Sequence, residues 1–191
     1  MSKRTALALL QIVFAISMYS QPVSFISYVY PGTASTVRFS VDIPQSWKET
    51  TGDTSSGFLP SFMVTDSSGN SAKTRCLDTV MYQFRYFRGT IAAALSAMGF
   101  QDRGGNLFMY SFNHFVNIVV AFEIKSPAWR GLDCSFKTKL PCKEKDAGKK
   151  TDAEIVCLFF SNGAETICLM GNGAPLKDEV LAKIEASFRF N

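Results

Sequence analysis

The stretch Val37–Trp47, VRFSVDIPQSW, is the feature that most restricts the fold of this chain. Apolar and polar residues alternate from Val37 to Ile43, which is the period of a β-strand with one buried face. Pro44 has no backbone N–H to donate, so the strand should end at that residue. We therefore predict an alternating strand that is closed by Pro44, with Trp47 packed against the corner that follows.

The composition is typical of one globular domain built around a sheet. The chain has 191 residues, of which 47% are hydrophobic and 19% are charged, and one domain is the usual size for this length. Its 17 phenylalanines favour strands over a helical bundle. The net charge of +4 is mild and two of the positive charges are at the N-terminus. Nucleic-acid binding, which needs a concentrated basic face, is therefore not expected.

The N-terminus is typical of an export signal. Lys3 and Arg4 precede the apolar stretch TALALLQIVFAIS, whose length is that of a secretory signal. Small residues at Ala15 and Ser17 fit cleavage after Ser17, so we expect the mature chain to begin at or shortly after Met18. The protein would then be periplasmic or secreted.

Two other interpretations of the N-terminus stay open. No charged residue occurs between Thr5 and Val37, so an uncleaved membrane anchor could use about 20 of these residues. A buried structural segment is the remaining alternative. We assign residues 1–20 to a signal peptide or anchor, with contact to a membrane only if it is uncleaved, and residues 35–191 to a single domain.

The chain has five cysteines, and some of them are expected to form disulfides if the protein is exported to an oxidising compartment. Cys134 and Cys142 enclose a short segment that ends in a proline, and we predict a bridge between them. Closing a loop of this size stabilises the fold by about 2–3 kcal/mol. Two unpaired thiols are the alternative, because connectivity cannot be deduced from sequence alone. Cys76 has no assigned partner.

The segment EIVCLFFSNGAETICLMGNG predicts a β-hairpin with Asn162-Gly163 as its turn. With a two-residue turn, Ser161 faces Ala164 and Cys157 lies directly opposite Cys168. This would be a hydrogen-bonded pair, in which the Cβ atoms are too far apart for a relaxed disulfide. We therefore expect two neighbouring cysteines on one face, more often free than bridged.

The remaining chain predicts strands interrupted by two helices. Period-two patterns indicate strands at residues 58–69, 79–89, 106–112 and 115–125. Thr90 and Gly99 enclose one amphipathic helix, and Pro175 suits the first turn of a C-terminal helix. These elements predict an α+β fold, a mostly antiparallel sheet with flanking helices.

Two short motifs resemble the PsbP/Mog1-like fold family. One is the strand F-S-V-D-I-P-x-x-W at Phe39–Trp47, and the other is I-E-A-S-F-R-F at the end of the C-terminal helix. The resemblance implies that the proline ends the first strand, that Trp47 packs the corner and that the last helix lies across the sheet. The segment 125–152 is longer and more charged than a compact member needs, and the cysteines match no family pattern.

The resemblance also implies a scaffold that binds rather than catalyses. Members of the family include extrinsic photosystem subunits, a small-GTPase-binding factor and accessory proteins of type VI secretion. An exported member without a lipid anchor is similar to the periplasmic immunity proteins, which occlude a toxic effector. This is an analogy of fold and cellular address, and fold alone does not fix function.

An enzymatic function has little support in the sequence. His114 is the only histidine, and a Ser-His-Asp triad or an imidazole-containing zinc site would have to use it. It lies where a turn between two strands is predicted, with no nucleophile motif such as G-x-S-x-G beside it. We therefore expect no catalytic residue, no metal and no cofactor.

The basic segment 127–152 is the candidate contact for another protein. Trp129 and Arg130 are of the residue types most enriched at interface hot spots, so we predict that they anchor a partner. Lys137, Lys139 and Lys143 would raise the association rate. An ordinary solvated loop is the alternative for the segment. The alternative function is an exported module that binds a small ligand or lipid in a pocket between sheet and helix.

Overall fold

The computed structural model describes residues 22–33, 36–50, 58–65, 79–112, 115–141, 150–172 and 174–191. Several of the sequence-based predictions lie outside these residues. One is the signal peptide or anchor at residues 1–20. The others concern single residues: the histidine His114, the cysteines Cys76 and Cys142, and the lysine Lys143.

Strands dominate the described part of the chain, which holds fifteen of them and two helices. The strands are β1 (Phe25–Tyr30), β2 (Phe39–Pro44), β3 (Trp47–Thr50), β4 (Phe58–Val64), β5 (Met81–Arg88), β6 (Gln101–Gly104), β7 (Leu107–Phe112), β8 (Phe115–Val120), β9 (Phe122–Lys125), β10 (Arg130–Asp133), β11 (Phe136–Pro141), β12 (Lys150–Ile155), β13 (Cys157–Ser161), β14 (Glu165–Gly171) and β15 (Arg189–Phe190). The helices are α1 (Ile91–Ala97) and α2 (Asp178–Ser187).

The fold is therefore mostly β, and the predicted α+β class is wrong. The largest source of the difference is the segment 127–152, for which the sequence predicts a long charged loop. Its described residues instead form β10 and β11 and begin β12. Charged residues alternate there with buried ones: in Phe136–Leu140, Lys137 and Lys139 face out, and Phe136, Thr138 and Leu140 are buried. This is the pattern of a half-buried strand.

Every paired strand of the described residues is antiparallel, and the strands form four sheets. The largest sheet has seven strands in the order β3-β4-β5-β14-β13-β10-β9. The smaller sheets are β1-β2-β15, β6-β7-β8 and the pair β11-β12. Among the described residues, the first paired strand is β1, which begins at Phe25, ahead of residue 35.

The centre of the seven-stranded sheet is covered on both faces. All five residues of β13 are buried. Leu158 and Phe160 belong to one core, together with Phe39 of the first small sheet and Phe188 after α2. Cys157 and Phe159 point the other way, into a second core against α1 and the sheet β6-β7-β8. A strand buried on both faces has a continuous apolar run, which explains the sequence CLFF.

The alternating stretch behaves as the sequence predicts. Phe39, Val41 and Ile43 are at most 1% exposed and face the central sheet. The strand ends at Pro44, and the chain then enters the larger sheet at Trp47. The Trp47 ring stacks on Tyr82 with 4.3 Å between ring centroids and an interplanar angle of 8°. The tryptophan therefore fixes the corner where the chain passes from one sheet to the next.

The β13–β14 hairpin forms, but its turn is displaced by one residue from the prediction. Asn162 N–H donates to the Glu165 carbonyl, so the central turn residues are Gly163 and Ala164. Gly163 takes the left-handed φ of +97° that such a turn requires. The Asn162 carboxamide oxygen accepts from the backbone N–H of both Ala164 and Glu165. Asn162 therefore stabilises the turn from the position just before it and is not one of its two central residues.

The displaced turn changes the cysteine pairing. Cys157 is opposite Met170, and Cys168 is opposite Phe159, so the two cysteines are diagonal neighbours on one face. Their Sγ atoms are 3.7 Å apart and both are free thiols. Within the described residues, no group of three His, Cys, Asp or Glu side chains is placed to hold a metal ion.

Cys134 is a free thiol and fully buried, which does not support the predicted Cys134–Cys142 bridge. Cys142 itself is outside the described residues.

The buried thiols predict a loss of stability in alkaline solution. Burial raises the pKa of Cys134 and of Cys157 far above that of a free thiol, so both stay protonated in the folded state. In the unfolded chain they ionise above about pH 8.5. Each thiol should therefore lower the free energy of unfolding by about 1.4 kcal/mol per pH unit above that pH.

Urea denaturation of the reduced protein at pH 7.5 and pH 9.5 measures this effect. The variant Cys157→Ala should lose less stability between the two pH values than the parent chain, because it has one buried thiol fewer. An equal loss in both proteins would contradict the linkage to Cys157.

Candidate functional site

Trp129, the predicted surface anchor, belongs to the main core. It is 3% exposed, and its indole N–H donates to the Phe188 carbonyl over 3.0 Å. Its ring also meets Phe160 edge-on, with 5.0 Å between ring centroids. Trp129 is therefore a buried core residue in this structure, and its side chain is not part of an exposed surface. Trp129 directly precedes β10, and its side chain points to the core. Because successive side chains of a strand point to opposite faces, the side chain of the next residue points outward.

Arg130 is that next residue, and it is exposed on the opposite face of β10. Its position in the sheet is directly across from Lys125 of β9. The neighbouring backbone bond from Ser126 N–H to the Trp129 carbonyl makes 126–129 a hydrogen-bonded pair. Because the two kinds of pair alternate along antiparallel strands, Lys125 and Arg130 form a non-hydrogen-bonded pair, the closer of the two kinds.

Lys137 and Lys139 lie on a different pair of strands. Both are exposed on β11, where Lys137 is opposite Glu154 and Lys139 is opposite Asp152 of β12. The Lys139 ammonium is 3.4 Å from the Asp152 carboxylate. This surface therefore carries charges of both signs. Lys137 and Lys139 are thus on β11, whereas Arg130 is on β10 of the seven-stranded sheet.

A patch of exposed apolar side chains covers the outer face of β7 and β8 and continues onto β9. We name it the apolar face, and its members are Leu107, Val116, Ile118, Val120 and Phe122. They are between 39% and 66% exposed. Leu107 is directly opposite Val120 in the sheet β6-β7-β8, and Phe122 follows two residues after Val120, at the start of β9 of the seven-stranded sheet. Contiguous exposed apolar surface of this kind commonly marks an interaction site.

The inner face of the same strands explains why these residues point outward. Phe108 of β7 and Val119 of β8 alternate with them and are buried in the second core. Asn117 is also buried, and its side-chain amide donates to the carbonyls of Tyr110 and Phe115. The strand FVNIVV thus places Asn117 and Val119 inside and Val116, Ile118 and Val120 outside. The sequence-based predictions missed this exposed set, because both faces of the strand carry apolar residues.

One cation borders the apolar face on the side of β6. The Arg103 guanidinium lies 3.3 Å from the sulfur of Met109, which is directly opposite Ile118. Lys150 is not part of this border, because its ammonium lies over the Phe115 ring, 4.3 Å from the centroid, and Phe115 alternates with Val116 and Ile118 along β8. The edge of the apolar face at β6 is therefore basic at Arg103.

A concave feature lies between α1 and the edge of the seven-stranded sheet. We name it the sheet–helix cleft. It has two adjoining parts of about 710 and 570 Å³. Ile91, Ser126 and Arg130 line both parts. Clefts of this size suit small organic ligands.

The charges in the cleft come from β9 and β10. Glu123, Lys125 and Arg130 line its smaller part together with Leu132 and Ile124. The Lys125 ammonium, with a further contribution from Arg130, lowers the pKa of the Glu123 carboxyl, which is therefore ionised at neutral pH. Ser126 and Thr90 add hydroxyl groups in the larger part. The cleft thus combines an exposed arginine, an ion pair, hydroxyls and apolar walls.

Comparison with known proteins does not assign the chain to a family. No protein-family model matches it, and no curated protein does. A crystal structure of a protein from Bacteroides thetaiotaomicron VPI-5482 is similar over 86% of this chain, with a TM-score of 0.43 and 12% sequence identity. This chain spans about half of that protein, 48% of its length.

Neither helix of the described residues has the length and apolar character required to cross a lipid bilayer.

Proposed function

We propose that this chain is an exported binding protein that occludes another protein and does not catalyse a reaction. The observation that carries the proposal is the apolar face, whose five large side chains remain 39–66% exposed. The basic-then-apolar N-terminus supports export. The partner we propose has an apolar patch bordered by acidic side chains.

Burial of the apolar face alone would not give tight binding to a partner, so contacts at its rim are also needed. Complete burial of a Val, Leu, Ile or Phe side chain contributes about 1.5–3 kcal/mol. Five such side chains that are about half exposed would contribute about 4–8 kcal/mol in gross terms. Association costs an estimated 4–15 kcal/mol in lost freedom and desolvation. The apolar contact therefore roughly offsets this cost, and net affinity must come from complementary contacts at the rim.

The charge at the rim favours an acidic partner. Arg103 borders the apolar face at β6, and the net charge of +4 becomes +2 when Lys3 and Arg4 are removed with the signal. Opposite charge on the partner would speed association, and like charge would oppose it. An acidic effector that is neutralised by this chain fits that requirement.

The substitution Ile118→Asp tests the proposal. Ile118 is 66% exposed, so the substitution removes little core packing, but it places a charge at the centre of the proposed contact. A partner should first be isolated with the parent chain from its source, identified, and purified. Calorimetry with the purified partner should then show at least tenfold weaker binding to Ile118→Asp, and association that slows as salt is added.

Lys139→Gln is the matched control, because Lys139 is exposed on another strand pair and should bind the partner normally. Sedimentation velocity and vesicle co-sedimentation should be run on the parent chain as well. Self-association through the face, binding to anionic vesicles that Ile118→Asp abolishes, or unchanged partner affinity would each overturn the proposal.

A further inference from the structure

Two cations are placed directly across from each other in the sheet–helix cleft. Arg130 of β10 and Lys125 of β9 form a closely spaced, non-hydrogen-bonded pair. Like charges in that position destabilise a sheet. Glu123 compensates Lys125 through an ion pair of 2.8 Å, which leaves the charge of Arg130 in excess on this part of the surface.

The walls around Arg130 are suited to an apolar ligand body. Ile91 and Ala92 of α1 form one side of the larger part, and the turn Pro127-Ala128 forms the other. Trp129 also lines this part, and its indole is turned to the core, where it donates to the Phe188 carbonyl. An arginine beside a rigid apolar wall is a common arrangement for recognising an acid with a hydrocarbon or aromatic body.

We propose that the sheet–helix cleft binds a small organic carboxylate, with the acid group on Arg130 and the apolar body against Ile91 and the 127–128 turn. This site is separate from the apolar face, and it adds a small-molecule ligand to the proposed protein-binding function. The planar guanidinium can donate two parallel hydrogen bonds to a carboxylate. Ser126 and Thr90 supply hydroxyl donors to the same part of the cleft.

The charge of the site favours a singly charged acid over a phosphate. Lys125 and Arg130 contribute two positive charges and Glu123 one negative charge, so the group carries +1. A single carboxylate neutralises that charge. A phosphate with nearly two charges would leave an excess and would experience more repulsion from the Glu123 carboxylate.

Titration of the ¹⁵N-labelled full chain with phenylacetate tests the site by NMR. We expect amide shifts concentrated at Ile91, Ser126, Arg130 and Gly163, all of which line the larger part of the cleft. Acetate and inorganic phosphate should bind at least tenfold more weakly, because acetate lacks the apolar body and phosphate has the wrong charge. Benzyl alcohol, which is neutral, should also bind at least tenfold more weakly.

The substitution Arg130→Gln should weaken phenylacetate binding at least tenfold, and Lys139→Gln should leave it unchanged. Arg130 is exposed, so Arg130→Gln should keep the amide spectrum of the folded protein. Shifts spread over surface lysines, equal affinity of Arg130→Gln, or preference for phosphate over phenylacetate would each overturn the proposal. Because this titration involves no protein partner, a failure of the carboxylate proposal would not contradict the proposed protein binding. A failure of the protein-binding proposal would likewise not contradict the carboxylate site.

Discussion

Trp129→Ala should lower the free energy of unfolding by about 3–5 kcal/mol, the usual cost of truncating a buried aromatic side chain. The ring is 3% exposed and contacts Phe160 and Phe188 edge-on. Phe160 and Phe188 also stack on each other at 4.2 Å. Removing the indole would therefore open a cavity where three aromatic rings meet, between β10, β13 and the end of α2.

Denaturant unfolding followed by circular dichroism measures this change, and Trp129→Phe separates its two causes. Phenylalanine keeps much of the ring volume but has no N–H to donate. The Phe188 carbonyl would still accept from the Arg189 guanidinium, at 2.6 Å, so we expect a loss of only about 1–2 kcal/mol. A loss below about 1 kcal/mol for Trp129→Ala would show that the ring is not a core residue and would restore its surface role.

Gly131→Ala should be the second most damaging substitution, at about 3 kcal/mol, the upper end of the usual range for overpacking. A Cβ at this position would lie 2.5 Å from the backbone oxygen of Phe159 and 3.1 Å from the Trp129 ring. The Phe159 oxygen belongs to β13, which pairs with β10 in the same sheet. It cannot move aside as the end of a flexible side chain could, so β10 would have to shift.

Lys125→Ala is the control for this prediction. Lys125 is exposed on the neighbouring strand β9, and surface substitutions of this kind usually change stability by less than about 0.5 kcal/mol. The urea concentrations at the unfolding midpoints of the parent chain, Gly131→Ala and Lys125→Ala measure these changes in stability. If Gly131→Ala unfolds at the same urea concentration as the parent chain, the close approach of β10 to β13 is not as the structure has it.

Local patterns are sufficient for elements whose determinants lie within a few residues. The period-two alternation of Phe39–Ile43 and the proline after it predict β2 and its end, because both depend on backbone chemistry alone. Thr90 likewise predicts the start of α1, since its hydroxyl accepts from the Ala93 N–H three residues later. The sequence also predicts the hairpin, but the side-chain bonds of Asn162 move its turn by one residue.

The identity of the buried face was decided by tertiary structure. Trp129 and Arg130 are adjacent in sequence, and their composition suggests one exposed anchor. A strand points successive side chains to opposite faces, so packing against Phe188 buried the first and exposed the second. Composition reports which residue types are suited to a contact, but it does not report on which side of the sheet they lie.

The same reason explains the apolar face and the cleft. The alternation in β8 predicts a strand, and both of its faces carry apolar residues, so the pattern could not show which face would be covered. The second core took Phe108 and Val119 and left Val116, Ile118 and Val120 outside. Lys125 and Arg130 became neighbours only because β9 and β10 pair in this register. The sequence by itself determined where strands, corners and one helix start occur, and the pairing of distant strands decided which side chains meet and which face the solvent.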